Sequence, residues 1–161
     1  MLKFASPGGA KRERSEGIGT MSDDPLFGTV DGADPEYQAS IRYARESLCV
    51  FRQHCLRMNR SGAMAFLKKE VVQGDRSTHL WFSDIRPAGS DFEATVFEVP
   101  SCSTLLRLGQ RVTIRAGEVL DWMVNDGGRL HGGFSLRCQR RRLPPERRAW
   151  FDHHIGVIEY V

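Results

Sequence analysis

The stretch that decides the fold is GQRVTIRAGEVLDWMVNDGGRLHGGFSLR, Gly109 to Arg137. Val112 and Ile114 alternate with Arg111, Thr113 and Arg115, the period of a half-buried strand with one wet face. Ala116 to Trp122 is predicted to form a short helical turn. Asn125-Asp126-Gly127-Gly128 then supplies residues that tolerate positive φ, as a tight hairpin needs. Phe134, Leu136 and Cys138 alternate with Ser135 and Arg137, which predicts a returning strand. Gly132-Gly133 fits a bulge or a close approach to Trp122. With no helix expected behind the glycines, they offer no phosphate cradle.

Upstream of this block the period is helical. Asp34-Pro35-Glu36 places an N-cap candidate before a proline suited to a first turn. Tyr37, Ile41, Ala44, Leu48, Phe51, Cys55 and Met58 follow at steps of three and four, predicting one long amphipathic helix over 35–58 that lies on a sheet. Met64 to Val72, His79 to Ile85 and Phe92 to Phe97 read as strands, with a turn from Arg86 to Asp91 between the last two. Pro144-Pro145-Glu146 opens a short C-terminal helix carrying Trp150, Phe151 and His154. The short connections favour antiparallel pairing. The expected fold is α+β: a curved antiparallel sheet of five to six strands, with barrel-like closure open to it, a long N-terminal helix and a short C-terminal one.

Length and composition set the frame: 161 residues, 40% hydrophobic and 27% charged, suffice for one sizeable core. Residues 1–33 mix Gly, Ser, Asp and Pro without an apolar period and are expected to be disordered, leaving 34–161 as a single domain. Met21-Ser22-Asp23-Asp24 resembles a second start, so residues 1–20 are a candidate upstream extension. No apolar stretch suits a signal peptide or membrane span, and a cytoplasmic location is expected. Cys49, Cys55, Cys102 and Cys138 form no C-x-x-C pair and no zinc spacing, and read as buried free thiols. The formal charge of +3 is uneven: residues 1–20 net +2, residues 137–161 net +3, and the body between nets −2. The basic balance therefore belongs to the ends of the chain, which argues against a nucleic-acid-binding core.

From about Pro35 to Gly156 the chain resembles the YegJ-like family of bacterial domains of unknown function. Leu80-Trp81, Gly109-Gln110-Arg111-Val112, Asp121-Trp122-Met123, Gly127-Gly128-Arg129 and Gly132-Gly133-Phe134-Ser135-Leu136-Arg137 carry the resemblance, most specifically over the later positions. The loop from Glu98 to Leu108 departs from it, with Val99-Pro100-Ser101-Cys102-Ser103 where the family pattern has an Asn-x-Pro-like turn. The resemblance implies a cytoplasmic bacterial α+β domain and brings no activity with it.

The residues admit two functional readings. In the first, the protein is a non-enzymatic binding or protein-interaction module. Asp121 bonds backbone N–H groups at a turn, Trp122 fills the core, and the arginines Arg137, Arg140, Arg141, Arg142, Arg147 and Arg148 face an acidic protein partner or pair with the chain's own acids. In the second, a small-ligand binder or enzyme has a cleft near Trp81, Asp121, Trp122 and His131, with Asp121 as base or cation ligand beside Asp126 and Arg129 or His131 holding an anion. The binding candidates are thus Asp121, Trp122, Arg129, His131, Arg140, Arg141 and Arg142. No catalytic motif, cofactor motif or metal-ligand spacing is present: His54, His79, His131, His153 and His154 do not stand at H-E-x-x-H spacing, and neither a G-x-S-x-G elbow nor a P-loop occurs. The arginine cluster lacks interleaved aromatics for stacking single strands, and no nucleic-acid partner is expected.

Overall fold

The computed structural model describes residues 33–58, 62–99 and 105–161; most of the N-terminal segment read as disordered, residues 1–32, lies outside them. Two helices lead, α1 (Pro35–Glu46) and α2 (Leu48–Arg57), then strands β1 (Met64–Gln73), β2 (Arg76–Ala88), β3 (Asp91–Val96), β4 (Arg111–Ile114), β5 (Val119–Asp126) and β6 (Arg129–Gly132). Helices α3 (Phe134–Arg142) and α4 (Pro145–His154) follow, and a short β7 (Glu159–Tyr160) closes the order. The strands form one sheet in the order β4-β3-β2-β1-β5-β6-β7. All neighbours are antiparallel except β6 and β7, which pair in parallel after the crossover through α3 and α4. The fold is α+β with a curved, open sheet, so barrel-like closure does not occur, and the strands number seven among the described residues.

Apolar residues cover both sheet faces. Leu67 stands opposite Phe82 on one side and Trp122 on the other, and this face meets Ala44 and Phe51 of the leading helices in the larger core. Phe66 stands opposite Met123, and that face packs with Trp81, Leu130, Leu136, Phe151 and Val157. Each large side chain withdrawn from water contributes about 1.5–3 kcal/mol, so both layers are needed to hold the sheet.

Asp34 caps α1 as its position suggests, accepting from the N–H groups of Glu36 and Tyr37 at 2.9 and 3.3 Å. The predicted stripe is inward: Tyr37, Ile41, Ala44 and Phe51 are buried, with Leu48, Cys55 and Met58 packed at the margin. The single long helix, however, is two helices broken at Ser47. The Ala44 carbonyl, which a continuous helix would give to residue 48, accepts the Trp122 indole N–H at 3.1 Å and the Ser47 hydroxyl at 3.2 Å. A side chain inserted into the ladder and serine back-bonding both break helices.

Two expectations in the deciding stretch change. The helical turn before Asp121 is confined to Ala116–Glu118, and Asp121-Trp122 lies within β5, whose residues from Asp121 to Asn125 are all buried. A strand covered on both faces loses the alternation by which strands are recognised. The return strand is β6 alone. Gly133 takes the left-handed conformation, φ 65° and ψ 41°, and residues 134–142 turn into α3. The hairpin itself is as expected, with Gly127 and Gly128 at φ 58° and 97°. The supposed turn from Arg86 onwards is shorter, since β2 continues through Ala88 and pairs with Asp91. Cys49, Cys55 and Cys138 are free thiols, of which only Cys138 is buried, Cys55 being half-buried and Cys49 exposed; Cys102 lies outside the described residues.

Candidate functional site

Asp121 is fully buried on the interior strand β5, between β1 and β6. Its Oδ1 accepts from the N–H groups of Trp122 at 2.8 Å and Phe134 at 3.1 Å, and its Oδ2 accepts from the Ser135 N–H at 2.7 Å and the Ser135 hydroxyl at 2.6 Å. The carboxyl group therefore sits at the N-terminus of α3, where unpaired N–H groups and the helix dipole favour an anion. A helix does follow Gly132-Gly133, contrary to the sequence expectation, and its anion position is filled from within the chain. Burial pushes the Asp121 carboxyl up from the usual carboxylate range, while Ser135, the Lys68 ammonium and the Trp122 N–H pull it back. The lone pairs that a general base or cation ligand would use are committed to these donors.

Lys68 stands opposite Trp81 on β2 and Asp121 on β5, so these three side chains share one sheet face. Its Nζ donates to the Ser135 hydroxyl oxygen at 3.3 Å. Sequence reasoning missed Lys68 and Ser135. The available signal for Lys68 was its place in an apolar strand, two positions after Phe66.

Trp122 is buried on the opposite face. Its indole N–H bonds to Ala44 O and Ser47 Oγ, and its ring lies 5.2 Å from Phe51 and 5.8 Å from Phe134 between centroids. Beside it opens a cleft of about 310 Å³ lined by Trp122, His131, His54, Val50, Phe134 and Arg137, among others. His131 and His54 approach to 4.6 Å between ring centroids. Burial pulls the His54 ring below its usual value, and the neighbouring His131 and Arg57 add to the effect. Thus Trp122 and His131 meet at a cleft, whereas Trp81 and Asp121 belong to the other face and do not line it. A second hollow of about 390 Å³ adjoins across Phe134, bounded by Tyr43, Ser40, Glu36, Arg137 and Arg141.

The arginines are occupied locally. Arg140 forks onto Asp152 at 2.7 and 2.8 Å. Arg141 and Arg142 reach the two oxygens of Glu36, and Arg142 also meets Asp34. Arg129, in β6, pairs with Glu159 at 3.2 Å. Arg137 donates to the main-chain oxygens of Gly132, Leu130 and Val161. Arg141 and Arg142 nevertheless keep 60% and 42% of their side-chain surface in water. Arg147 on α4 is exposed, and one turn on stands Trp150, 48% exposed against 8% and 3% for Trp81 and Trp122. The Trp150 ring lies 5.4 Å from that of His154. Among the described residues no three His, Cys, Asp or Glu side chains converge as metal ligands, and no helix is long and apolar enough to cross a membrane.

Comparison with known proteins places this architecture. Residues 34–158 match the model of a family described as "Uncharacterized protein conserved in bacteria (DUF2314)". The chain belongs to the DUF2314 family. It is also similar to "Uncharacterized protein YegJ" of Escherichia coli (strain K12), 25% identical over 121 residues that cover 74% of this chain and 76% of the relative. No solved structure matches the chain. The family match spans every described helix and the sheet from β1 to β6, so the Asp121 cap and the arginine-bearing helices both fall inside the DUF2314 domain.

Proposed function

We propose that this DUF2314 domain is a non-enzymatic, cytoplasmic protein-interaction module, whose contact surface is the outer face of α4 with the adjoining arginines of α3 and whose partner is an acidic protein. The observation that carries the reading is Trp150, half-exposed between Arg147 and His154 while the other tryptophans are buried. Tryptophan and arginine are the residues most enriched where binding energy concentrates, and an exposed indole gains most from being covered. Charge supports the same partner: Arg147 is exposed on α4, and Arg141 and Arg142 keep 60% and 42% of their side-chain surface in water beside Glu36 and Asp34, and exposed positive groups steer an acidic surface into register. The commitment of Asp121 to four internal donors supports a structural rather than catalytic centre.

A small-ligand binder is the second reading, favoured by the cleft between His54, His131 and Trp122. One experiment separates the two. Chemical cross-linking in native bacterial lysate identifies the partner, which is then purified and titrated against the full chain, Trp150→Ser with Arg147→Ser, and Val50→Ser with His131→Ala. The interaction reading expects an acidic partner, affinity that falls with added salt, and loss of binding in the α4 variant alone. Unchanged binding by that variant, or loss confined to the cleft variant, overturns it.

A further inference from the structure

His54 and His131 come together from distant parts of the chain. Phe51 anchors α2 in the larger core, and His54, one turn on, lies on the same side of that helix. On β6, His131 stands opposite Val124 of β5. Cross-strand partners share a sheet face, and Val124 belongs to the same core as Phe51. The two half-buried rings therefore meet at the seam between α2 and the sheet, where both line the cleft beside Trp122.

The pair has the spacing of two ligands to one ion. Their centroids are 4.6 Å apart and their planes are tilted by 41°. An imidazole nitrogen bonds a metal ion at about 2.0–2.1 Å, which puts the ring centroid about 3.2 Å from it. Two such rings in neighbouring positions, with an N–metal–N angle of about 90–110°, have centroids about 4.5–5.2 Å apart. The nitrogens are also uncommitted. His79 spends its Nδ1 on the Tyr37 hydroxyl at 2.8 Å, whereas no hydrogen bond or ion pair within the described residues occupies the ring of His54 or of His131. The charged neighbours leave room for a cation: Arg137 is turned onto the main-chain oxygens of Gly132, Leu130 and Val161, and Arg57 and Asp126, which both act on His54, are of opposite sign.

We propose that His54 and His131 jointly bind one divalent late transition-metal ion, of the class of Ni²⁺, Cu²⁺ and Zn²⁺, in the cleft between α2 and β6. Imidazole suits these ions better than it suits magnesium or calcium. Two protein ligands leave the remaining coordination positions to water, so the ion keeps an open side toward the cleft walls of Val50, Trp122 and Phe134. Binding ties α2 to β6, and an ion that prefers the folded chain shifts unfolding to higher denaturant. The site stands apart from the outer face of α4 and does not depend on the docking reading.

The test titrates Ni²⁺ into the untagged full chain at neutral pH by calorimetry, with ¹H–¹⁵N spectra and urea unfolding in parallel. The expected result is one ion per chain, with binding at least tenfold weaker in His54→Gln and in His131→Gln. The double variant His153→Gln with His154→Gln, on α4, should bind as the parent does. Paramagnetic broadening should reach the Trp122 indole N–H, whose ring lies 6.3 Å from that of His54, before that of Trp150. The metal should raise the urea midpoint of the parent and of neither cleft variant. Absence of binding, affinity that survives either cleft substitution, or loss confined to the α4 double variant overturns the proposal.

Discussion

Gly132→Ala tests the glycine that, among the described ones, leaves the least room for a Cβ. Gly132 has φ +70°, and a Cβ built there would lie 2.5 Å from Trp122 Cε3, 2.5 Å from Trp122 O and 2.6 Å from Cζ3. The left-handed conformation alone costs an L-residue about 1–2 kcal/mol. The overlap adds the cost of overpacking, about 1–3 kcal/mol, because the Trp122 ring cannot yield. It is held by Phe51, by Phe134 and by hydrogen bonds to Ala44 and Ser47. The sum, about 2–5 kcal/mol, is a large part of the 5–15 kcal/mol by which domains are stable. Gly127→Ala supplies the control, with φ +58° and nothing within 4 Å of the added methyl. Urea unfolding followed by tryptophan fluorescence should therefore place the Gly132→Ala midpoint well below that of Gly127→Ala at similar slope. Coincident midpoints would refute the argument that Gly132 exists to admit Trp122.

Three further outcomes are expected. Asp121→Ala strands the Phe134 and Ser135 donors and leaves the Lys68 charge without its neighbour, a loss of about 3–5 kcal/mol in denaturant unfolding; near-parental stability would show that the cap is dispensable. Trp122→Phe retains a ring but loses the indole bonds to Ala44 and Ser47, costing about 1–3 kcal/mol for the groups left unpaired, and a urea midpoint equal to the parent's would show that these bonds contribute nothing. Glu118 is held down to about 2, first by the Arg115 side chain, then by the Arg115 N–H and Lys69. A carboxyl lowered on folding contributes stability that is present above its usual 4.5 and lost as pH falls through 2. Glu118→Gln should flatten the decline of the unfolding midpoint in that window, and an identical pH profile in variant and parent would contradict the assignment.

What could be read from the chain was local. The Asp34-Pro35 start of α1, the inward stripe from Tyr37 to Cys55, the Gly127-Gly128 hairpin and the Pro145 helix all follow from signals within a few residues. What escaped depends on contacts across the fold. The break at Ser47 is made with Trp122, 75 residues away. The helix at Phe134 is capped by Asp121 from a neighbouring strand, and without that acceptor Phe134, Leu136 and Cys138 mimic strand alternation. The candidate residues divided for the same reason: spacing brought Asp121 and Trp122 together in sequence, while the pleat sends them to opposite faces, one to a helix cap and one to the core beside a cleft. Of the predicted arginines, Arg140, Arg141 and Arg142 have acidic partners within the chain, yet α4 still presents Arg147 and Trp150 to water.

The central claim is that the buried Asp121 centre builds the domain while recognition belongs to the outer face of α4. A ¹H–¹⁵N map of the domain, titrated with its purified partner, tests it most directly. The account predicts that the Trp150 indole N–H and the amides of Arg147 and His154 shift while the Trp122 indole and the His131 amide hold still. Shifts confined to Trp122, His54 and His131 would contradict it and place recognition in the cleft.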